Sequence, residues 1–319
     1  MCRARRLLAL LPVLAAVAST GCHSSGSGNC DPCGDNYVVN ADIWASPEGD
    51  LFVAGYRGQK GLLRRFDSGT WVPIYEGGHS LRAMWGTSSQ DFFVLDLFAT
   101  VLHYNHGTWE TWTLSGPDGG PAIGQAWAMW GSANDDLFVA GTEGTILHFD
   151  GTSWAPMTTP TTTRLKGLWG SAHDNVMAVG DQGTILHFDG AVWFLVDSPT
   201  TAALNAVWGA TADNVFIVGE VTPETSHIIL HFDGGAVTTL HEGDKALLGI
   251  HGSGPDRVYA VGARRNESSV TGCAFRFDGT AWSEQPVGVG QFLWDVWVNP
   301  DGSYFVVGPE DTIVKRTGR

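Results

Sequence analysis

Positive charge, charged residues in general and cysteine are all scarce in this chain. Its 319 residues include 18 Lys or Arg against 33 Asp or Glu, which gives a formal net charge of −15. Phosphate binding needs a basic surface, so this balance excludes a nucleic-acid partner. Only 16% of the residues are charged and 43% are hydrophobic, which excludes global disorder. The 42 Gly follow no three-residue period, which excludes collagen.

The first 21 residues have the pattern of a secretory signal peptide. Three Arg precede an apolar run over residues 7–18, which is too short to span a bilayer as a mature helix. Two cleavage sites fit this segment. One follows Ala18, because Ala16-Val17-Ala18 obeys the small-x-small rule. The other precedes Cys22 and is favoured, and residues 22–36 then form a flexible linker that begins at the lipidated Cys22.

The segment Ser19-Thr20-Gly21-Cys22 resembles a bacterial lipobox, with Ser19 where that family usually has Leu. The resemblance implies lipidation of Cys22 and a place in the bacterial cell envelope. His23 after the cysteine, rather than Asp, favours the outer membrane, whereas a cut after Ala18 predicts a secreted protein. Loss of three Arg takes the net charge from −15 to −18. Such a surface repels anionic headgroups, so the lipid is expected to be the only membrane attachment.

Three cysteines remain in the predicted mature domain, namely Cys30, Cys33 and Cys273. This odd number favours one structural disulfide and one spare thiol, and the sequence leaves the pairing open. The spacing of Cys30 and Cys33 also fits a redox or metal pair. No second C-x-x-C motif and no strand–helix pattern accompany it, so the disulfide is favoured. No metal and no cofactor are expected.

One unit of 39–46 residues recurs seven times. Its first anchor is an aromatic or imidazole residue that closes a short apolar segment: Trp44, Trp85, Trp130, Trp169, Trp208, His251 and Trp297. Eleven residues later comes Gly in six units and Asp96 in the second unit. A basic or imidazole residue follows in the third segment, and Trp comes six residues after it in five units. Each unit holds four apolar segments separated by turn residues, with no helical period.

Four short strands in about 40–45 residues are typical of a propeller blade. The sequence therefore predicts an all-β fold over residues 37–319, a seven-bladed β-propeller of four-stranded antiparallel blades. Because the seventh unit stops after its third strand, a stretch within residues 28–39 is expected to supply the fourth and close the ring. The anchor Trp are expected to pack one blade onto the next. His148 and its equivalents are expected to bond within the blade, near turn carboxylates such as Asp150.

The motif F-D-G-x-x-W, as at residues 149–154, is similar to the Asp-box S-x-D-x-G-x-x-W, without its Ser and the residue between Asp and Gly. Over about 280 residues the chain resembles the bacterial Asp-box/YVTN-like (WD40/BNR-like) β-propeller repeat lipoproteins. The resemblance implies a binding propeller at the envelope. Because Asp-box propellers include sialidase-like hydrolases, it also implies an alternative function in glycan processing.

Two of the four intervals in the unit vary in length, and both belong to loops on one face of an up-and-down propeller. Loops that a rigid scaffold presents tolerate insertions and carry function. The insertions lie at residues 56–61, 115–124, 220–227 and 263–272. They supply the candidate binding residues Tyr56, Arg57, Arg264, Arg265, Asn266 and Glu267, of types favoured in contact patches. Neutral drift of loops on a stable ring remains an equal alternative.

These features favour a monomeric recognition or scaffold propeller that binds an envelope or extracellular protein or glycan through the variable face. No catalytic motif occurs, and no catalytic residue is assigned. A sialidase-like hydrolase at the channel mouth is the alternative. Asp42, Asp96 and Asp295 are the polar residues at otherwise apolar repeat positions that could line such a site. A purely structural envelope component is the third possibility.

Overall fold

The computed structural model describes residues 37–115, 122–222, 226–266 and 269–318, and these form a seven-bladed β-propeller. Six blades have four strands and the seventh has three described strands, with antiparallel pairing inside each blade. The predicted fold class is confirmed. The signal peptide, Cys22, Cys30, Cys33 and the linker lie outside the described residues.

The first four blades follow the chain in order. Blade 1 consists of β1 (Val38–Ala45), β2 (Leu51–Arg57), β3 (Lys60–Asp67) and β4 (Thr70–Gly77). Blade 2 consists of β5 (Leu81–Ser88), β6 (Asp91–Asp96), β7 (Thr100–Asn105) and β8 (Thr108–Thr113). Blade 3 consists of β9 (Ala126–Ala133), β10 (Asp136–Gly141), β11 (Ile146–Phe149) and β12 (Trp154–Met157). Blade 4 consists of β13 (Leu165–Ala172), β14 (Asn175–Gly180), β15 (Ile185–Phe188) and β16 (Trp193–Leu195).

Three blades complete the ring. Blade 5 consists of β17 (Ala203–Thr211), β18 (Asn214–Thr222), β19 (Ser226–Phe232) and β20 (Val237–Gly243). Blade 6 consists of β21 (Ala246–Gly254), β22 (Arg257–Asn266), β23 (Ser269–Phe277) and β24 (Trp282–Gln285). Blade 7 consists of β25 (Asp295–Val298), β26 (Ser303–Val307) and β27 (Ile313–Thr317). One-turn 3-10 helices at Thr142–Gly144 and Asp181–Gly183 join the second and third strands of blades 3 and 4.

The first strand of every blade lines a central channel and packs against the first strands of its two neighbours. The second strands are buried between adjacent blades, as in β6 and β26. Burial on both faces explains why these strands read as continuous apolar runs rather than alternating ones. The core is therefore a set of clusters between neighbouring blades.

The anchor Trp connect neighbouring blades, as predicted. A Cβ added to Gly209, which follows the anchor of blade 5, would lie 2.6 Å from Cη2 of Trp169 in blade 4. The same indole-on-glycine contact joins blades 3 and 4 and blades 5 and 6. At blade 6 the anchor is His251, which stacks on Trp297 at 4.0 Å and accepts a hydrogen bond from the N–H of Val298 at 3.1 Å. Blades 2–6 thus each place one ring against the next blade.

The third-strand His bond inside their own blades, but not to the turn carboxylates. His148 Nε2 lies 2.6 Å from Asp136 Oδ1, and the equivalent partners of His103, His187 and His231 are Asp91, Asn175 and Asn214. His148 pairs with Phe138, so Asp136 is its diagonal neighbour on the same face of the sheet. Asp150 instead accepts the backbone N–H groups of Thr152 and Ser153 in its own turn.

The seam between blades 7 and 1 combines an apolar cluster, in which Ile43 and Val53 pack with Phe305, with buried polar contacts. Arg64 is 6% exposed, and its Nη2 donates to Asn40 Oδ1 and Asp311 Oδ1, each at 2.6 Å. The backbone N–H of Asn40 donates to Gly308 O at 3.1 Å. Val38 and Val39 belong to β1, the first strand of blade 1, so this end of the stretch 28–39 does not form the fourth strand of blade 7. Residues 28–36 lie outside the described residues, and the closure by them stays a prediction.

Candidate ligand-binding channel mouth

The loops that connect the second and third strands lie on the same face of the propeller as the residues at which the first strands begin. This is shown by backbone bonds such as those from Gly58 to Tyr37 O and from Leu97 to Ser80 O. It is the face that the interval lengths predicted to be variable. We call it the variable face.

The insertions in blades 1, 5 and 6 are extended β-hairpins rather than loops. The β22–β23 hairpin stays paired from Gly262↔Cys273 out to Asn266↔Ser269. At about 3.3 Å per residue, the four residues beyond Gly262 add about 13 Å of strand. Blades 3 and 4 have only the 3-10 turns there, with Glu143 and Gln182 in the left-handed region at φ 58°. The rim of the variable face is therefore extended at blades 1, 5 and 6 and short at blades 3 and 4.

In blades 1–6, a β-bulge directs one residue of the first strand toward the channel. In blade 2, for example, the pairing with the second strand skips Arg82, between Leu81 and Ala83. A bulge leaves one residue unpaired and re-aims its side chain. The bulged residues of blades 1–6, with Trp294 at the equivalent position of blade 7, form what we call the bulge ring: Ala41, Arg82, Trp127, Lys166, Asn205, Leu248 and Trp294.

The bulge ring surrounds a cavity of about 360 Å³ at the variable-face end of the channel. Tyr56 and Glu220, at the variable-face end of their second strands, lie in the same wall. Two positions further along each first strand is an apolar side chain, and these seven form what we call the apolar ring: Ile43, Met84, Met129, Leu168, Val207, Ile250 and Val296. Each is at most 9% exposed. The cavity therefore has a polar mouth and an apolar floor.

Two guanidinium groups lie over the ring of Trp127. The Cζ atoms of Arg82 and Arg164 lie 5.1 Å and 5.2 Å from the centre of its ring. Burial lowers the pKa of Arg82, and the nearby Tyr56 acts in the opposite direction. Within the part of the chain that the structure describes, no carboxylate forms an ion pair with Arg82. Among the described residues, the guanidinium of Arg82, with its buried Nε, thus lies against the Trp127 ring and near the Tyr56 phenol rather than in an ion pair.

Asp181 compensates the other two cations of the mouth. It lies 2.7 Å from Arg164 Nη2 and 2.7 Å from Lys166 Nζ. Lys166 Nζ also donates to Asn205 Oδ1 at 3.0 Å. Two cations share one carboxylate, so this side of the mouth keeps an excess of positive charge. In a chain with a net charge of −15, three of the 18 basic residues meet at one cavity.

Three hydrogen-bond donors around the mouth lack a partner within the described part of the chain. Arg82 Nε, Trp127 Nε1 and Trp294 Nε1 are buried atoms without a hydrogen-bond partner among the described residues. A buried donor left unpaired costs about 1–3 kcal/mol, so each such group in a folded protein calls for an explanation. All three belong to the bulge ring.

A carboxyl pair lies in the channel wall at the seam. Asp42 and Asp295 are hydrogen-bonded to each other, and Asp295 Oδ2 accepts the N–H of Ile43 at 3.1 Å. Burial raises the pKa of Asp42 to about 6. Burial and then the charge of Asp42 raise the pKa of Asp295 well above its ordinary value. Two such groups share one proton at neutral pH. Asp96 does not join them, because its Oδ1 accepts the N–H groups of Phe98 and Thr100.

The predicted binding residues divide between this cavity and the rim. Of the five that lie within the described residues, Tyr56 alone lines the cavity. Arg57 forms an ion pair with Glu76 at 3.2 Å, and Arg264 contacts Asp244. Arg265 is partly buried and Asn266 pairs with Ser269 at the hairpin tip. Glu267 lies outside the described residues, and a binding role for all six stays a prediction.

Cys273 is a free thiol, 2% exposed, with Sγ 4.0 Å from Ala246 O. Burial raises the pKa of this thiol to about 12, so it is neutral and unreactive. It fits the spare thiol of the predicted set. The predicted disulfide, whose pairing the sequence leaves open, stays a prediction, since Cys30 and Cys33 lie outside the described residues.

Sequence reasoning missed the bulge ring. A signal was present, because Trp127 and Trp294 are two of only three Trp that the repeat anchors leave unassigned. A second signal is the position three residues before each anchor, where residue type changes from blade to blade. Among the described residues, no group of three His, Cys, Asp or Glu is placed to hold a metal ion, and no helix is long and apolar enough to cross a membrane.

No family model matches the chain, and no curated protein matches its sequence. Solved propellers match its structure. YCF48 bound to D1 peptide has a TM-score of 0.65 at 13% identity, covering 88% of this chain and 95% of that one. The WD40 propeller of Doa1 has a TM-score of 0.68 at 11% identity, covering 88% and 93%. The extracellular domain of the two-component system BT4673 from B. thetaiotaomicron has a TM-score of 0.64 at 10% identity, covering 88% and 38%. These likenesses show a WD40-like seven-bladed propeller.

Proposed function

We propose that the chain is an exported recognition or scaffold propeller that binds a protein or glycan at the channel mouth of its variable face. The observation that carries this is the cavity itself. Arg82, Arg164 and Lys166 gather there in a chain that is otherwise strongly acidic, beside two Trp of the bulge ring. Arg and Trp are the side chains most often central to binding sites. A mostly apolar cavity with a few convergent polar groups is the usual form of a ligand site.

The comparisons support a polypeptide partner ahead of a glycan. YCF48, a structure that matches 88% of this chain, is solved with a bound D1 peptide. The BT4673 domain is extracellular, which fits the export that residues 1–21 predict for this chain. Lipidation of Cys22 would hold the propeller at the bacterial envelope as a monomer, with the outer membrane favoured.

The contacts at the mouth favour binding over glycan hydrolysis. Glycosidases separate their two carboxyl groups by about 5–9.5 Å, whereas Asp42 and Asp295 bond directly to each other. Tyr56 and Glu220, the only candidates for a Tyr/Glu pair among the described cavity residues, lie on blades 1 and 5. No cofactor is assigned.

The test separates the rim from the cavity. In the full chain, residues 57–60, 221–226 and 264–271 are each replaced by an Asn-Gly turn, which closes the hairpins at Tyr56↔Gly61, Glu220↔His227 and Ala263↔Gly272. Capture from envelope extract is compared with that of the parent and of Arg82→Gln. Loss of an identified partner in either folded variant supports the variable face. Equal capture by all three, or turnover of a sialoside by the parent, contradicts the proposal.

A further inference from the structure

The cavity has two chemically different ends, and one ligand must satisfy both. Its floor is the apolar ring, in which all seven side chains are almost fully buried. Its mouth is the bulge ring, with Arg82 as a cation that no described carboxylate neutralises. A volume of about 360 Å³ lies at the lower end of the range for small-molecule sites, about 300–1,000 Å³.

The unpartnered donors at the mouth favour a ligand group that accepts hydrogen bonds and donates none. Arg82 Nε and the two indole N–H groups of the bulge ring lack partners, and a carboxylate is an acceptor-only group that pairs with guanidinium. The negative groups near the mouth do not cancel this preference. Asp181 is held by two cations. Together with Asp181, Glu220 and the one charge of the Asp42–Asp295 pair balance the three basic side chains, so the preference for a carboxylate rests on the unpartnered donors rather than on net charge.

We infer that the channel cavity binds a carboxylate carried on an apolar body, with the carboxylate at Arg82 and the apolar part against the apolar ring. The inference rests on the proposed function only in placing the ligand at the channel mouth. The apolar floor selects against inorganic phosphate or sulfate, which would leave it uncovered. A free fatty or aromatic acid and the carboxyl-terminal residue of a polypeptide share this chemistry.

Isothermal titration calorimetry on the full chain tests the inference with octanoate as the probe. Octanamide has the same body without the charge, and butanoate has the same charge with half the chain. Octanoate is expected to bind at least about tenfold more tightly than either, because a hydrogen bond to a charged group and four buried methylenes each exceed one tenfold step. Inorganic phosphate is expected not to compete.

The Arg82 variants locate the site. Arg82→Gln is expected to weaken octanoate binding about tenfold to hundredfold, and Arg82→Lys less. Lys315→Gln is the matched control, since it removes one positive charge from the exposed edge of blade 7 and should leave binding within twofold. Thermal unfolding of each variant reports whether it is folded.

A peptide that ends in a free Leu carboxylate, and its amide, identify the source of the ligand. Tighter binding of the free acid than of octanoate assigns the site to a polypeptide terminus, and the reverse order assigns it to a free acid. Equal binding of octanoate and octanamide, equal binding by parent and Arg82→Gln, or no binding of either acid would overturn the inference. Partner capture by the hairpin variants is scored separately, so the proposed function can stand when the carboxylate inference fails.

Discussion

Replacing Gly209 by Ala tests the contact that joins neighbouring blades. The added Cβ would lie 2.6, 2.7 and 2.9 Å from three carbons of the Trp169 indole, where ordinary contacts are 3.4–4 Å. The atoms concerned belong to a rigid ring edge, so no flexible side-chain end can move aside. Blade 4 and blade 5 would have to separate locally by about 1 Å to accept one methyl group.

The expected cost follows from the size of this overlap. Extra methyl groups forced into a packed core destabilise by about 1–3 kcal/mol. Because Ala has a lower conformational entropy than Gly in the unfolded chain, the substitution also stabilises the fold by about 0.4–1 kcal/mol. We therefore expect Gly209→Ala to lower the free energy of unfolding by about 1–2 kcal/mol, which for a domain of this size lowers the Tm by about 2–4 °C.

Urea and thermal unfolding, followed by Trp fluorescence and circular dichroism, measure this loss. Gly290→Ala is the matched control, because a Cβ there meets nothing within 4 Å. In a Trp169→His background, which copies the natural His251, the cost of Gly209→Ala should disappear. A cost that is the same in both backgrounds, or no greater than that of Gly290→Ala, would refute the interblade contact as its cause.

Three further predictions concern the seam, blade 6 and the anchor. Burial raises the pKa of Asp42 from 3.8 to about 6, so the unfolded chain loses that proton first and the free energy of unfolding falls as the pH rises through this window. Asp42→Asn should therefore gain on the order of 2 kcal/mol over the parent at pH 7.5 and nothing at pH 3, measured by urea unfolding. His251→Trp should destabilise, because Val298 stands where blades 2–6 have Gly, and His251→Trp with Val298→Gly should restore the Tm. Cys22→Ala should move the protein from the detergent to the aqueous phase in Triton X-114 partitioning, unless cleavage follows Ala18, in which case parent and variant partition alike.

The repeat predicted the ring because each blade has the same anchor residues at the same places in its strands and turns. The offset of eleven from Trp169 to Gly180 recurs in every unit, and the offset of six from His187 to Trp193 recurs in five. These offsets define strand length and turn position. The packing role of the Trp followed from the same regularity. The partner of the His could not be read from spacing alone. Asp136 faces His148 only because the strands pair in one register, and register is a contact between segments distant in sequence.

The candidate site escaped prediction for the opposite reason. Arg82, Trp127 and Lys166 differ from one another, so a search for what the units share discards them as variation. Their direction depends on the bulge, which is a mismatch between two paired strands rather than a property of either segment. Insertion length indicated the face on which the cavity opens, and it directed attention to the rim rather than to the cavity that the rim surrounds.

The indole-on-glycine contact also bears on how such a ring can change its number of blades. A unit from blade 4 carries both halves of the joint, Trp169 for the blade that follows and Gly170 for the blade that precedes. A duplicated copy of this unit would therefore pack between the original and the next unit through the same indole-on-glycine contacts. The joints on either side of blade 7 lack this symmetry, since Val298 stands at the glycine position toward blade 6 and Ala45 at the one toward blade 7. An apolar cluster and buried polar contacts join blades 7 and 1. The ring can thus gain a blade by duplication where the indole-on-glycine contact recurs, whereas the contacts between blades 7 and 1 fit only that pair of blades.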